Sequence, residues 1–113
     1  MTVDPRAAVL DDLRADLLAR VAAVEADLVA VAEATAGANT DDEHDPEGAT
    51  IAWERQQAAA SRDRLRARLA GVDAARERVA AGTWGLCVRC GQPVGEERLS
   101  ARPDVATCVR CAR

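Results

Sequence analysis

The chain has 113 residues and a net charge of −4; Trp53 and Trp84 are its only aromatic residues, and all 15 basic residues are Arg. That length allows one domain or two small pieces sharing a core, and an apolar content dominated by Ala, Val and Leu suits thin helix–helix seams rather than a thick globular interior. The balance lacks the basic footprint of a nucleic-acid binder. The longest apolar run, Leu28 to Ala32, is far short of the roughly 18 residues of a membrane span.

Residues 5–36 read as one long helix. Leu10, Leu13, Leu17, Val21, Val24, Leu28 and Val31 step by three or four and form one apolar stripe. Asp4 and Pro5 supply an N-cap followed by Pro at the first helical position, and Gly37 is a natural stop. Residues 38–45 are polar and turn-like, with Thr40 and Glu43 spaced as a capping box and Asp45-Pro46 as a stronger restart signal. Asp41, Asp42, Glu43, Asp45 and Glu47 put five carboxylates into seven residues, and the rest of the chain holds 14 acids against 15 Arg. The acidity is therefore one local cluster. A second helix is expected over residues 46–81, because Ile51, Ala58, Leu65, Val72 and Val79 recur every seventh position, with Leu69 added and Gly82 after the last turn.

Two helices of similar length joined by a short loop predict an antiparallel hairpin. About 33 residues at ~1.5 Å each make an arm roughly 50 Å long. The expected fold is mainly α: a two-helix coiled-coil hairpin over residues 1–82, with an acidic tip at about 38–50, and a four-cysteine zinc finger over residues 83–113. The acidic cluster and the cysteines then lie at opposite ends of the arm.

Cys87 and Cys90 form one Cys-x2-Cys pair and Cys108 and Cys111 a second, 17 residues later. Two intervening residues let both sulfurs of a pair approach one ion from a tight turn, and Gly91 permits the backbone such a knuckle requires. Two knuckles supply four thiolates in the closed tetrahedral set of a structural zinc site, leaving no open position for catalysis at the metal. Disulfides or a redox pair, and iron on the same ligands, are the competing readings. No basic start followed by an apolar core marks the N-terminus, so a cytoplasmic protein with reduced thiols is expected, and there paired cysteines favour zinc.

The segment Gly85-Leu86-Cys87-Val88-Arg89-Cys90-Gly91, then Arg98-Leu99-x-Ala101-Arg102-Pro103, then Cys108-x2-Cys111, resembles the zinc-finger region of the DksA/TraR family of bacterial regulators. The resemblance spans roughly residues 40 to 111. It implies direct binding to RNA polymerase, insertion of the hairpin into the secondary channel to modulate initiation, and no reading of DNA sequence. The family's tip motif is acid-x-x-Asp-x-Ala. One register puts Asp45, Gly48 and Thr50 on it. The other, which leaves the heptad stripe unbroken, puts His44, Glu47 and Ala49 there and is preferred. The expected partner-binding residues are Asp42, His44, Asp45, Glu47 and Ala49 at the tip, with Arg98 and Arg102 at the finger. Longer family members continue into a C-terminal helix that carries part of the polymerase and ppGpp contact surface; this sequence reads as a short form without it.

Arg62, Arg64, Arg66 and Arg68 are expected to pair with Asp11, Asp12, Asp16 or Glu25 of the first helix. Trp84 is expected to pack the finger onto the hairpin base, whereas Trp53 fits either packing toward the loop or an exposed contact. His44 has no His or Cys neighbour and reads as a tip residue rather than a ligand. One His, no Gly-rich phosphate loop and no nucleophile beside a base make an enzyme the weakest reading. The alternative to a monomeric polymerase-binding regulator is a zinc-ribbon adaptor or nucleic-acid-binding module whose coiled coil oligomerises.

Overall fold

The computed structural model describes residues 4–36 and 46–112, with side chains described for residues 4–34 and 48–112. Gly37, Thr40, Asp42, Glu43, His44 and Asp45 lie outside the described residues, as does the side chain of Glu47. Helix α1 runs Pro5–Ala36 and helix α2 runs Pro46–Ala81. A short helix α3, Glu96–Ala101, and a single 3-10 turn, Val109–Cys111, follow.

The start of α1 follows from Asp4. Its Oδ1 accepts the backbone N–H of Arg6 at 2.9 Å, the second helical position, so one of the orphan donors of the first turn is satisfied. The Arg6 guanidinium also grips the same carboxylate and holds its pKa below the ordinary value. The end of α2 follows from Gly82, whose φ of 76° lies in the left-handed region that side chains disfavour. Gly82 N–H then bonds Val79 O at 3.2 Å and Thr83 N–H bonds Arg78 O at 2.9 Å, the paired bonds of a Schellman motif. This turn redirects the chain from the arm into the cysteine lobe.

The helices pair antiparallel. Asp11 meets Arg76 at 2.7 Å, Arg14 meets Asp73 at 2.8 Å, and Glu25 meets Arg66 further out, so one residue number falls as the other rises. Leu10, Leu17, Val72 and Ala75 form the buried core, with Leu13, Leu65, Leu69, Val79 and Trp84 packed against it. The molecule is slender, with extents of 59 × 36 × 19 Å and a radius of gyration of 19.7 Å. A compact domain of this length has a radius near ~13 Å. Among the described residues, no helix is long and apolar enough to cross a membrane.

The arginine row departs from expectation. Only Arg66 pairs with α1, through Glu25. Arg62 turns to its neighbour Asp63, Arg68 reaches Asp104 in the cysteine lobe, and Asp16 is taken by Arg20 of its own helix. Rotation accounts for Arg68: residues two apart on a helix differ by about 200°, so 64 and 68 lie on a different flank of α2 from 66.

Candidate metal centre

The four cysteines converge. All are free thiols, and the four Sγ atoms lie within 4.8 Å of one another. Their donors come from two copies of the same tetrapeptide, Cys-Val-Arg-Cys, at 87–90 and 108–111. In the first knuckle, Gly91 N–H bonds Cys87 O at 2.8 Å and Cys87 N–H bonds Gln92 O at 2.8 Å. Gly91 has φ 78°, so the turn that brings Cys90 back toward Cys87 needs glycine there. In the second, Cys111 N–H bonds Cys108 O at 3.0 Å. The knuckles are tied together by Val88 N–H on Ala106 O at 2.9 Å and by the Arg89 guanidinium on Cys111 O at 3.2 Å.

The geometry fits a tetrahedral ion. Zn–S bonds of ~2.3 Å place sulfurs about 3.8 Å apart along a tetrahedron's edge; Cys90 and Cys108 Sγ are 3.7 Å apart. A disulfide requires about 2.0 Å. Two of the thiols, Cys87 and Cys108, are prepared for ionisation. Cys87 is lowered to about 6, first by a hydrogen bond from the Cys108 backbone N–H, with those of Cys90 and Arg89 adding to it against the cost of burial. Cys108 is lowered too, chiefly by the Cys111 N–H. Cys111 is pushed up to about 12, first by its hydrogen bond with Cys108 and then by burial. The Cys111 thiol thus keeps its proton among crowded sulfurs until a cation replaces it. Four thiolates around one zinc ion make a closed structural site that staples a lobe too small to hold itself together.

The lobe docks on the base of the arm through contacts that only Trp84 announced in the sequence. Trp84 packs on the α1–α2 core, its indole N–H bonds Pro103 O at 2.9 Å, and Arg6 stacks over its ring at 5.4 Å. Arg78 donates to Val105 O at 3.4 Å. Asp104 is the buried acid of the lobe, and its Oδ2 lies 3.6 Å from Arg68 Nε and 3.7 Å from Arg102.

Of the predicted partner-binding residues, Ala49 is exposed on α2. Arg98 is half-buried and spends its Nε on Thr107 O at 2.9 Å, while Arg102 is largely exposed beside Asp104. Trp53 is 61% exposed on α2, and the loop of its other reading lies outside the described residues.

Residues 82–113 match the family model of the prokaryotic dksA/traR C4-type zinc finger. The chain is 44% identical over 46 residues to an uncharacterized protein of Aquifex aeolicus (strain VF5), covering 41% of this chain and 32% of that protein. It is 41% identical over 49 residues to the RNA polymerase-binding transcription factor DksA of Caulobacter vibrioides (strain NA1000 / CB15N), covering 43% and 34%. These matches span about a third of the length of each relative. The fold is similar to that of transcription factor DksA2 from Pseudomonas aeruginosa, with a TM-score of 0.75 and 26% identity over 93% of this chain and 75% of that one. Residues 82–113 therefore match a zinc finger of the DksA/TraR type, set on a helical hairpin whose fold is similar to that of DksA2.

Proposed function

We propose that the protein is a non-enzymatic transcription regulator that binds RNA polymerase directly and inserts its arm into the secondary channel. The observation that carries this reading is the joining of the two parts: a family zinc finger packed at the base of a slender arm, in an arrangement similar to DksA2 over 93% of the chain. A 36-residue helix is about 54 Å long, enough to carry a tip deep into a channel while the finger stays outside. The division of labour follows the expected domains, residues 1–82 as arm and 83–113 as finger. Asp42, His44, Asp45, Glu47 and Ala49 meet the polymerase interior, and Arg98 and Arg102 meet its rim.

A monomer is favoured over an oligomerising adaptor because the base halves of the α1 and α2 stripes pack on each other rather than on another copy. The site of action is the cytoplasm, and no DNA sequence is read. A pull-down with core polymerase of the encoding organism, repeated with Asp45→Ala and Glu47→Ala, tests the reading. Wild-type binding is expected, with the tip variants still bound but altered in transcription initiation assays. Absence of wild-type binding rejects the proposal.

A further inference from the structure

Trp53 is one of two aromatic residues in the chain. Trp84 is engaged at the arm's base; Trp53 is 61% exposed on the distal part of α2. Its place on the helix is not incidental to the seam. Ile51, two residues earlier, belongs to the stripe facing α1, and a step of two turns Trp53 about 200° away from it. The neighbours on that outward strip are Ala49, Thr50, Gln56, Gln57 and Ala60; all are uncharged, and all but Ala60 are exposed. Glu54 and Arg55 lie on the other sides of the helix. Charged residues make up 30% of the chain, and a solvated helix face draws on that supply. A face that combines a Trp with depletion of charge has the composition of an interface centre.

The strip's size decides what covers it. Residues 49–60 span roughly 17 Å, and one helix face about 10 Å wide offers on the order of 200 Å². A stable dimer needs about 800 Å² from each partner. A second copy seated on this strip alone is therefore too weakly held. The strip fits a partner that also holds the arm elsewhere, one with a protein wall that is uncharged and apolar where the indole enters and that offers hydrogen-bond groups to the flanking glutamines.

We infer that Trp53 is an anchor by which the outward face of α2 docks on the polymerase wall surrounding the arm; this rests on the polymerase-binding reading above. Seating the ring buries roughly 100 Å² or more of exposed surface, given the 150–250 Å² that an aromatic side chain buries in full. The test measures affinity for core RNA polymerase of the encoding organism with wild type, Trp53→Ala, Trp53→Phe and Arg55→Ala, each checked for helix content and zinc. Trp53→Ala is expected to weaken binding about tenfold or more, Trp53→Phe to recover most of it, and Arg55→Ala to bind within about threefold of wild type. Wild-type binding with no loss in Trp53→Ala overturns the anchor and leaves the polymerase reading intact. Absence of wild-type binding overturns both. Dimerisation of the wild type that Trp53→Ala abolishes assigns the strip to a second copy and overturns the inference.

Discussion

The two halves of the arm are written in the same seam pattern and are packed differently. Next to the zinc lobe, Leu10, Leu17, Val21, Val72 and Ala75 are buried. Leu13, Leu65, Leu69 and Val79 are half-buried against that core, whereas in the distal half, through Val24, Leu28, Val31, Ile51 and Ala58, the stripe is half-buried with no fully buried residue among those described. The difference is a third wall. At the base, Trp84 packs against the seam between the helices; farther out, two helices have only each other. A helix pair shields one stripe per helix but cannot enclose it, so the seam alone does not make a core. A metal that holds the finger in place would therefore also serve the arm, by keeping Trp84 against the base.

The sharpest way to break the comparison is to remove that wall. Zinc in small structural sites contributes about 10–16 kcal/mol at neutral pH. Chelation or Cys108→Ser is expected to unfold the lobe and expose Trp84. With Trp53 replaced by Phe, the emission of Trp84 then shifts to the red and the thermal transition of the helices drops. Unchanged Trp84 emission in zinc-free protein shows that the lobe packs without its metal.

Acid applies the same lesion gradually. Zinc takes thiolates, so a thiol still carrying its proton must release it first. Cys111, pushed up to about 12, must give up its proton to the ion, so affinity falls as pH is lowered through the neutral range, and more steeply as Cys87 protonates near 6. A chelator competition from pH 8 to 5.5 measures this, and a flat profile rejects it.

Within the seam, Leu17→Ala should cost about 2–5 kcal/mol in urea unfolding, and Leu28→Ala less than half as much, because Leu28 already meets water. Equal losses would mean that the distal seam is as closed as the base. The smallest effect is expected at Asp104→Asn. This removes the charge partner of Arg68 at 3.6 Å and of Arg102 at 3.7 Å, at a cost of about 1–2 kcal/mol. A change near zero would place the docking energy in Trp84 and the backbone bonds instead.

Much of this was legible in the sequence. The start of α1 and the end of α2 follow from Asp4-Pro5 and Gly82, because caps are local chemistry. The metal ligands follow from spacing, because two residues between cysteines leave few other uses for the pair. The lobe–arm contact was legible only at Trp84. Asp104 and Arg68 are 36 positions apart in the chain and carry no pattern; only folding shows that one reaches the other. The arginine row misled for a related reason. A run at every second position looks like one charged face in a string, whereas a helix divides it between two flanks.

The register of the arm makes it a ruler. Because 11 faces 76, 14 faces 73 and 25 faces 66, the distance from base to tip depends only on how many residues each strand of the hairpin contributes. Seven residues added to both helices would lengthen it by about 10 Å and return every side chain to its own face. Seven added to one helix alone would throw the turn out of line. Descendants of this chain can thus change depth of reach in matched steps while the base and its metal stay as they are.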